Sequence, residues 1–118
     1  MAIISTHTLN SVDGTHAAGI PVAIFCVSET DVRTTLLTGQ TDAGGRFVQD
    51  LPAEDVDTNA THEMVLKIGS YFENQGLGDP DGRALDEVVV RFQMPDPDGR
   101  YHIPFMLAPN SYSVWSSR

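Results

Sequence analysis

Four histidines are the side chains of this sequence best suited to acid–base chemistry, because imidazole titrates close to neutral pH. They are His7, His16, His62 and His102. No two of them have the spacing of metal ligands on one helix face or in one short loop. His62-Glu63 begins like a zinc-protease helix, but Leu66 stands where that motif needs its second histidine. The spacing therefore does not predict a metal site.

His7, His102 and Arg46 are the residues whose positions could place them in a reactive site. His7 lies within an apolar strand pattern, His102 lies on a late strand, and Arg46 follows a glycine-rich turn. Considered singly, a histidine in such a strand is more often a hydrogen-bonded structural residue than a catalytic one, and an arginine after a turn is most often solvated. The sequence has no phosphate loop, nucleophile elbow, dinucleotide fingerprint or calcium loop, which excludes many common enzyme classes.

Short segments with strand patterns must position these residues, since turn signals recur at intervals of roughly 8–12 residues. We expect strands over 2–9, 22–27, 33–41, 62–68, 87–94, 101–108 and 112–117. A helical turn near 53–56 and a short helix over 69–76 are minor elements, and 77–83 is expected to be an acidic loop. The pattern predicts an all-β fold, an antiparallel β-sandwich of two sheets with one short helix.

The stretch 101–108 has two distinct faces when it is read with a period of two. Its first face is large and apolar and fits a core: Tyr101, Ile103, Phe105 and Leu107. Its second face carries one imidazole among moderately apolar side chains: His102, Pro104, Met106 and Ala108. A strand face of this kind indicates either a surface covered by another subunit or the lining of a site.

Length and charge narrow the classes of partner. A chain of 118 residues predicts one domain over 1–118. The net charge of −9 argues against nucleic acid or an anionic membrane surface as a partner.

Cys26 is the only cysteine and lies in an apolar run, so we expect a small buried side chain and no intramolecular disulfide. Without a secretion signal or a spanning segment, the sequence predicts a cytoplasmic protein.

Several motifs occur together and in order along nearly the whole chain. They are Ser5-Thr6-His7-Thr8-Leu9, Gly19-Ile20-Pro21-Val22, Thr41-Asp42-Ala43-Gly44-Gly45-Arg46, Ser70-Tyr71-Phe72 and Tyr101-His102-Ile103-Pro104. In this combination the sequence resembles the 5-hydroxyisourate hydrolases, the transthyretin-related enzymes of purine breakdown. The turn before Arg46 is the weaker signal, because many transthyretin-like modules share it. The strand histidine combined with Tyr-His-x-Pro is the specific one.

The resemblance implies a transthyretin-like sandwich of two four-stranded sheets in which the first and penultimate strands are neighbours. It implies that His7 and His102 act as acid and base, with Arg46 binding the substrate, in a channel between dimers of a homotetramer. The implied reaction is hydrolysis of a ring amide in a small heterocyclic substrate. Neither a metal nor an organic cofactor is implied.

The tail departs from the family pattern. The family usually ends in Tyr-Arg-Gly-Ser and that tail reaches into the site, whereas this chain ends in Trp115-Ser116-Ser117-Arg118. The resemblance assigns these four residues to substrate binding, with the arginine displaced by two positions. Three hypotheses follow: a 5-hydroxyisourate hydrolase, a related hydrolase of a different heterocycle, or a non-catalytic transthyretin-like protein that binds a small apolar ligand. In the last case Trp115, Met106 and Phe105 would contact the ligand.

Overall fold

The computed structural model describes residues 1–76 and 85–117. The loop expected over 77–83 and the terminal Arg118 lie outside the described residues. The strands are β1 (Ala2–Asn10), β2 (Thr15–His16), β3 (Pro21–Val27), β4 (Arg33–Gln40), β5 (Arg46–Leu51), β6 (Thr61–Lys67), β7 (Glu87–Gln93), β8 (Arg100–His102), β9 (Phe105–Ala108) and β10 (Ser111–Val114). A 3₁₀ turn spans Ala53–Asp55, and helix α1 spans Gly69–Asn74. Neither helix is long and apolar enough to cross a bilayer, as far as the described residues go.

The first sheet is built around β1, which has neighbours on both sides. On one side it pairs antiparallel with β5 and, at its far end, with β2. On the other side it runs parallel to β8 and then β9, and β9 pairs with β10. The neighbouring first and penultimate strands that the resemblance implies are therefore present. Their parallel direction differs from the antiparallel pairing of every other neighbouring pair of described strands.

The second sheet has the order β4-β3-β6-β7, with antiparallel pairing throughout the described strands. Residues at alternate positions of β6 point into the core, including Met64 and Leu66, and they meet Val22 and Ile24 of β3. Together with the first sheet this forms the all-β sandwich that the sequence predicts. Helix α1 contributes the buried Tyr71 and Phe72 to the same core.

One face of β1 packs into the core, and the opposite face forms part of the site. Ala2, Ile4 and Thr8 are fully buried, while His7 and its neighbours at alternate positions are half-buried. The polar residues on the inner face are satisfied, since Thr6 donates to the carbonyl of Ile103 over 2.6 Å. The alternation of β1 therefore presents His7 away from the core.

Three local expectations were wrong. No strand was expected over 46–51, where β5 lies, because only Phe47 and Leu51 of its residues are buried and no period-two pattern results. The single strand expected over 101–108 is divided at Pro104, whose nitrogen cannot donate to a neighbouring strand. Cys26 is partly exposed, since a bulge between Ile24 and Phe25 disturbs the alternation of β3.

Candidate active site

The outer face of the first sheet brings together the histidines and the arginine that the sequence singled out. His7 of β1 lies directly opposite Arg46 of β5. On the other side of β1, His102 of β8 lies opposite Ser5, two residues before His7. Because positions i and i+2 of a strand share one face, all four side chains belong to the same surface.

Buried neighbours hold these side chains in place. His7 precedes Thr8 and Arg46 follows Gly45, and both Thr8 and Gly45 are buried. The amide of Thr8 donates to the carbonyl of Gly45 over 2.7 Å, and the Thr8 hydroxyl donates to Ala17 over 2.8 Å. Three segments that are distant in the sequence are thus fixed to one another at this point.

Gly45 is required for this close approach. Its φ is +73°, and a Cβ at this position would lie 2.4 Å from the carbonyl oxygen of Thr8. The turn is closed by Asp42, whose carboxylate accepts the amides of Gly44 at 2.9 Å and of Arg46 at 3.0 Å. Backbone geometry therefore determines where Arg46 leaves the turn.

Ser5 orients His102 through a hydrogen bond of 2.8 Å between its hydroxyl and Nδ1 of the ring. The sequence reasoning missed this partner. The signal was available, because Ser5 and His7 are two positions apart and must share a face once the strand is recognised. With Nδ1 occupied by Ser5, the Nε2 atom of His102 is the nitrogen left for a substrate or a water.

His16 is a third imidazole at the site, and the sequence reasoning gave it no role. Its Nδ1 lies 3.0 Å from Nε2 of His7, and the two rings stack with centroids 5.1 Å apart. The hairpin of β1 and β2 places His16 opposite Leu9. Asp13-Gly14 is a hairpin-turn signal that could have indicated this return of the chain.

Electrostatics favour neutral imidazoles. Partial burial lowers the pKa of His7, and the nearby Arg46, His16 and His102 lower it further, against a raising hydrogen bond with the Gly44 backbone. Burial and Arg46 likewise lower the pKa of His102. Both rings are therefore predominantly uncharged at neutral pH, which is the form that accepts a proton.

The tail lies beside His102. The amide of Ser117 donates to the carbonyl of His102 over 2.9 Å, and both residues line an open groove of about 730 Å³ together with Ser116. Trp115 is 46% exposed and lines the adjoining groove of about 290 Å³. His7 and Arg46 are not among the residues that line either groove. The expected site residues thus form two neighbouring groups joined at His102, with Arg118 outside the described residues.

The residues suggested for contact with an apolar ligand do not all lie on the outer face. Met106 is 41% exposed on the outer face, whereas Phe105 is fully buried in the core. The expectation that Phe105 contacts a ligand was therefore wrong, since β9 alternates between the two sides. No group of three or more potential metal ligands is found in the part of the chain that the structure describes.

The arrangement supports hydrolytic chemistry by general base catalysis. A neutral imidazole can take a proton from water, and a guanidinium can stabilise negative charge on a carbonyl oxygen. Arg46 makes no ion pair with any residue in 1–76 or 85–117. Its positive charge is therefore not neutralised by direct pairing within that part of the chain.

Comparison with known proteins gives a consistent result over the full length. The HIUase/transthyretin family model matches residues 4–116. The 5-hydroxyisourate hydrolase 2 of Rhizobium meliloti (strain 1021) is 32% identical over 112 residues, covering 95% of this chain and 92% of the relative. The 5-hydroxyisourate hydrolase of Mesorhizobium japonicum is 33% identical over 112 residues, covering 95% and 89%. Sea bream transthyretin, solved in complex with thyroxine, has the same fold with a TM-score of 0.83 at 22% identity, covering 97% and 93%.

Proposed function

Because the chain belongs to the HIUase/transthyretin family, we propose that it is an enzyme that hydrolyses 5-hydroxyisourate in purine degradation. Full-length relatives that are named 5-hydroxyisourate hydrolases support the substrate. The observation that carries the proposal is the direct pairing of His7 with Arg46, with His102 on the same face of the sheet.

The proposed reaction is addition of water to a ring carbonyl followed by cleavage of the ring C–N bond. A neutral imidazole takes one proton from water while the oxygen bonds to the carbonyl carbon. Arg46 stabilises the oxygen that becomes negatively charged. The imidazolium then donates the proton to the departing nitrogen, and the ring opens. His102 is well oriented for this exchange, since Ser5 holds its Nδ1.

We expect the active form to be a homotetramer in which this outer face lines a channel. The face combines the reactive side chains with the exposed Val48 and Met106, which favour contact with another subunit over contact with water. Native mass spectrometry tests this assembly, and a monomer would contradict it. The cytoplasmic location inferred from the sequence stays a prediction.

The direct test is whether the purified protein accelerates the decay of 5-hydroxyisourate beyond the rate in buffer. The substrate can be generated in place from urate, and its disappearance followed by ultraviolet absorbance. We expect acceleration by the wild type and its loss in His102→Ala. A wild-type protein that leaves the spontaneous rate unchanged would overturn the proposal and favour a non-catalytic binding protein.

A different heterocyclic substrate is the second candidate, favoured by the position of the altered tail. Ser116 and Ser117 line the groove beside His102, so they are placed to alter which ring fits there. Changing Trp115→Tyr, Ser116→Arg, Ser117→Gly and Arg118→Ser together restores the usual family ending. If this variant turns over 5-hydroxyisourate on the order of tenfold faster than the wild type, the second candidate is favoured. Unchanged turnover would remove the tail as the determinant of specificity.

A further inference from the structure

His16 contacts the site through the side chain of His7. The hydrogen bond of 3.0 Å joins Nδ1 of His16 to Nε2 of His7. His7 is half-buried, whereas His16 is exposed. The pair therefore links His7 to a second, more exposed imidazole.

The backbone beside His16 is well anchored. Ala17 is fully buried, its amide donates to Thr8, and its carbonyl accepts the hydroxyls of Thr8 and Thr41, each over 2.8 Å. The Cβ of His16 also lies 3.3 Å from the position a Cβ on Gly45 would take. The same backbone contacts among Thr8, Ala17 and Gly45 therefore position both Arg46 and the pair of His16 and His7.

A hydrogen bond between two imidazoles needs one N–H and one lone pair, so the two facing nitrogens share a single proton. The charged and titratable groups around His7 influence which of the two rings holds that proton. Arg46 of β5, His102 of β8 and His16 of β2 disfavour the charged form of His7, while the Asp42 carboxylate of the turn lies close enough to interact with it. The cationic surroundings of His7 favour passing a proton outward to His16.

Hydrolysis of 5-hydroxyisourate supplies a proton for this path. Water supplies an OH group to the carbonyl carbon and a hydrogen to the departing nitrogen, so a carboxylic acid forms. Because the ring nitrogens of a urate derivative are ureido nitrogens with little basicity, the acid ionises without protonating them. One proton per turnover must therefore leave the site.

We propose that His16 is a positioning and proton-exchange residue for His7, which holds the His7 ring and carries the product proton to water; this inference rests on the proposed function. The product acid gives its proton to the ring of His7, Nε2 of His7 passes a proton to Nδ1 of His16, and the opposite nitrogen of the His16 ring releases a proton to solvent or buffer, which leaves both imidazoles neutral. Only the O–H bond of the acid and N–H bonds are broken or formed, and no oxidant or cofactor takes part.

Two variants separate this role from a structural one. His16→Gln keeps a side chain that can form hydrogen bonds but does not titrate, and His16→Phe keeps the stacking without the hydrogen bond. In dilute phosphate buffer we expect kcat to fall on the order of tenfold in both variants with KM nearly unchanged. Added free imidazole should restore kcat of the variants and leave wild-type kcat unaffected. Unchanged kcat, or a loss that imidazole does not restore, would overturn the inference.

A second measurement does not depend on turnover. Nitrogen NMR of the histidine rings should show a hydrogen bond at Nε2 of His7 in the wild type and its loss in His16→Phe. In His16→Gln the pKa of His7 should rise, because His16 lowers it in the wild type. A His7 Nε2 signal that is the same in the wild type and in His16→Phe would overturn the inference even in an active enzyme. An intact hydrogen bond in a protein without hydroxyisourate turnover would instead locate the failure in the proposed function.

Discussion

On the outer face of the second sheet the carboxylate of Glu63 lies between two guanidinium groups, whereas on the outer face of the first sheet Arg46 lies beside imidazoles. Glu63 is only 2% exposed and accepts Nε of Arg33 at 2.7 Å and Nε of Arg91 at 2.9 Å. Arg91 also reaches Asp31 at 3.5 Å. These two carboxylates and two guanidinium groups are thus compensated by direct pairing.

The first sheet leaves its charge available instead. The cationic Arg46 lowers the pKa values of both His7 and His102, and it has no ion-pair partner among the described residues. Arginine side chains therefore have different roles on the outer faces of the two sheets. Paired charges hold strands together, while unpaired ones can act on a ligand.

Removing His102 tests this difference most directly. His102→Ala deletes the ring that Ser5 orients, and we expect kcat/KM to fall at least about 100-fold with little change in stability. Steady-state kinetics and urea unfolding measure the two effects. Glu63→Gln is the matched variant on the other sheet and should keep kcat/KM. Equal losses of activity in the two variants would contradict the division between the sheets.

Gly45→Ala should have the next largest effect, because it disturbs the junction that holds the site. The new Cβ meets the Thr8 carbonyl, in addition to the backbone strain of about 1–2 kcal/mol at a positive φ. Gly14→Ala is the control, since Gly14 has a φ of +78° with nothing within 4 Å of its Cβ position. Urea unfolding should show a clearly larger loss for Gly45→Ala, accompanied by lower activity. Equal losses would mean that the close approach is unimportant.

Glu63→Gln should lower the free energy of unfolding by about 1–2 kcal/mol, at the low end for charged hydrogen bonds because both arginines are partly exposed. The amide keeps one acceptor but cannot satisfy two guanidinium groups as a carboxylate does. Urea unfolding at low and high salt measures the effect. Unchanged stability would show that the pairing on the second sheet contributes nothing.

His62 shows a histidine used without chemistry, and its substitution should have a smaller effect. The ring is fully buried, neither nitrogen has a partner at good hydrogen-bond geometry among the described residues, and burial lowers its pKa against the opposing influence of Asp57 and the Ala60 backbone. Below about pH 6.5 the unfolded chain binds a proton that the folded chain does not, so His62 makes stability fall as the pH is lowered. His62→Leu should become increasingly more stable than the wild type on acidification. A constant difference across pH would contradict this.

The smallest expected effect is a displacement of the pH profile. Because the pKa values of His7 and His102 are lowered and the neutral rings accept protons, activity should be lost only below about pH 6.5, the ordinary value for histidine. Arg46→Gln should lower kcat/KM at every pH because Arg46 stabilises the oxyanion, and the acid limb of the remaining kcat/KM should move to higher pH, since the cation that lowers both pKa values is gone. A limb that stays in place would show that Arg46 does not control these rings.

Much of this fold could be predicted because alternating faces are encoded locally. Of the core face predicted for 101–108, Ile103, Phe105 and Leu107 are buried and Tyr101 is half-buried, whereas Pro104, which was assigned to the other face, is buried. The helices near 53–56 and 69–76 were also placed correctly. Strand β5 was not predicted because most of its side chains are exposed at the edge of the sheet. Its sequence therefore does not alternate between apolar and polar residues.

The site was predictable only in part, since partners across strands depend on register. The family resemblance supplied His7, Arg46 and His102, but the contacts of Ser5 with His102 and of His16 with His7 require knowing which residues lie opposite one another. His16 in particular depends on a two-residue strand that a hairpin folds back. Local patterns do not determine such long-range neighbours.

The hydrogen bond between Ser5 and His102 joins residues 97 positions apart, and it has a consequence for synthesis. While a ribosome is still making the chain, β1 can pair with β5 before β8, the strand that supplies His102, has been synthesised. Nascent and prematurely terminated polypeptides would therefore lack the second imidazole, whatever else in them has folded. Contacts of such long range also slow folding, so newly made molecules should gain activity only at the last stage of maturation.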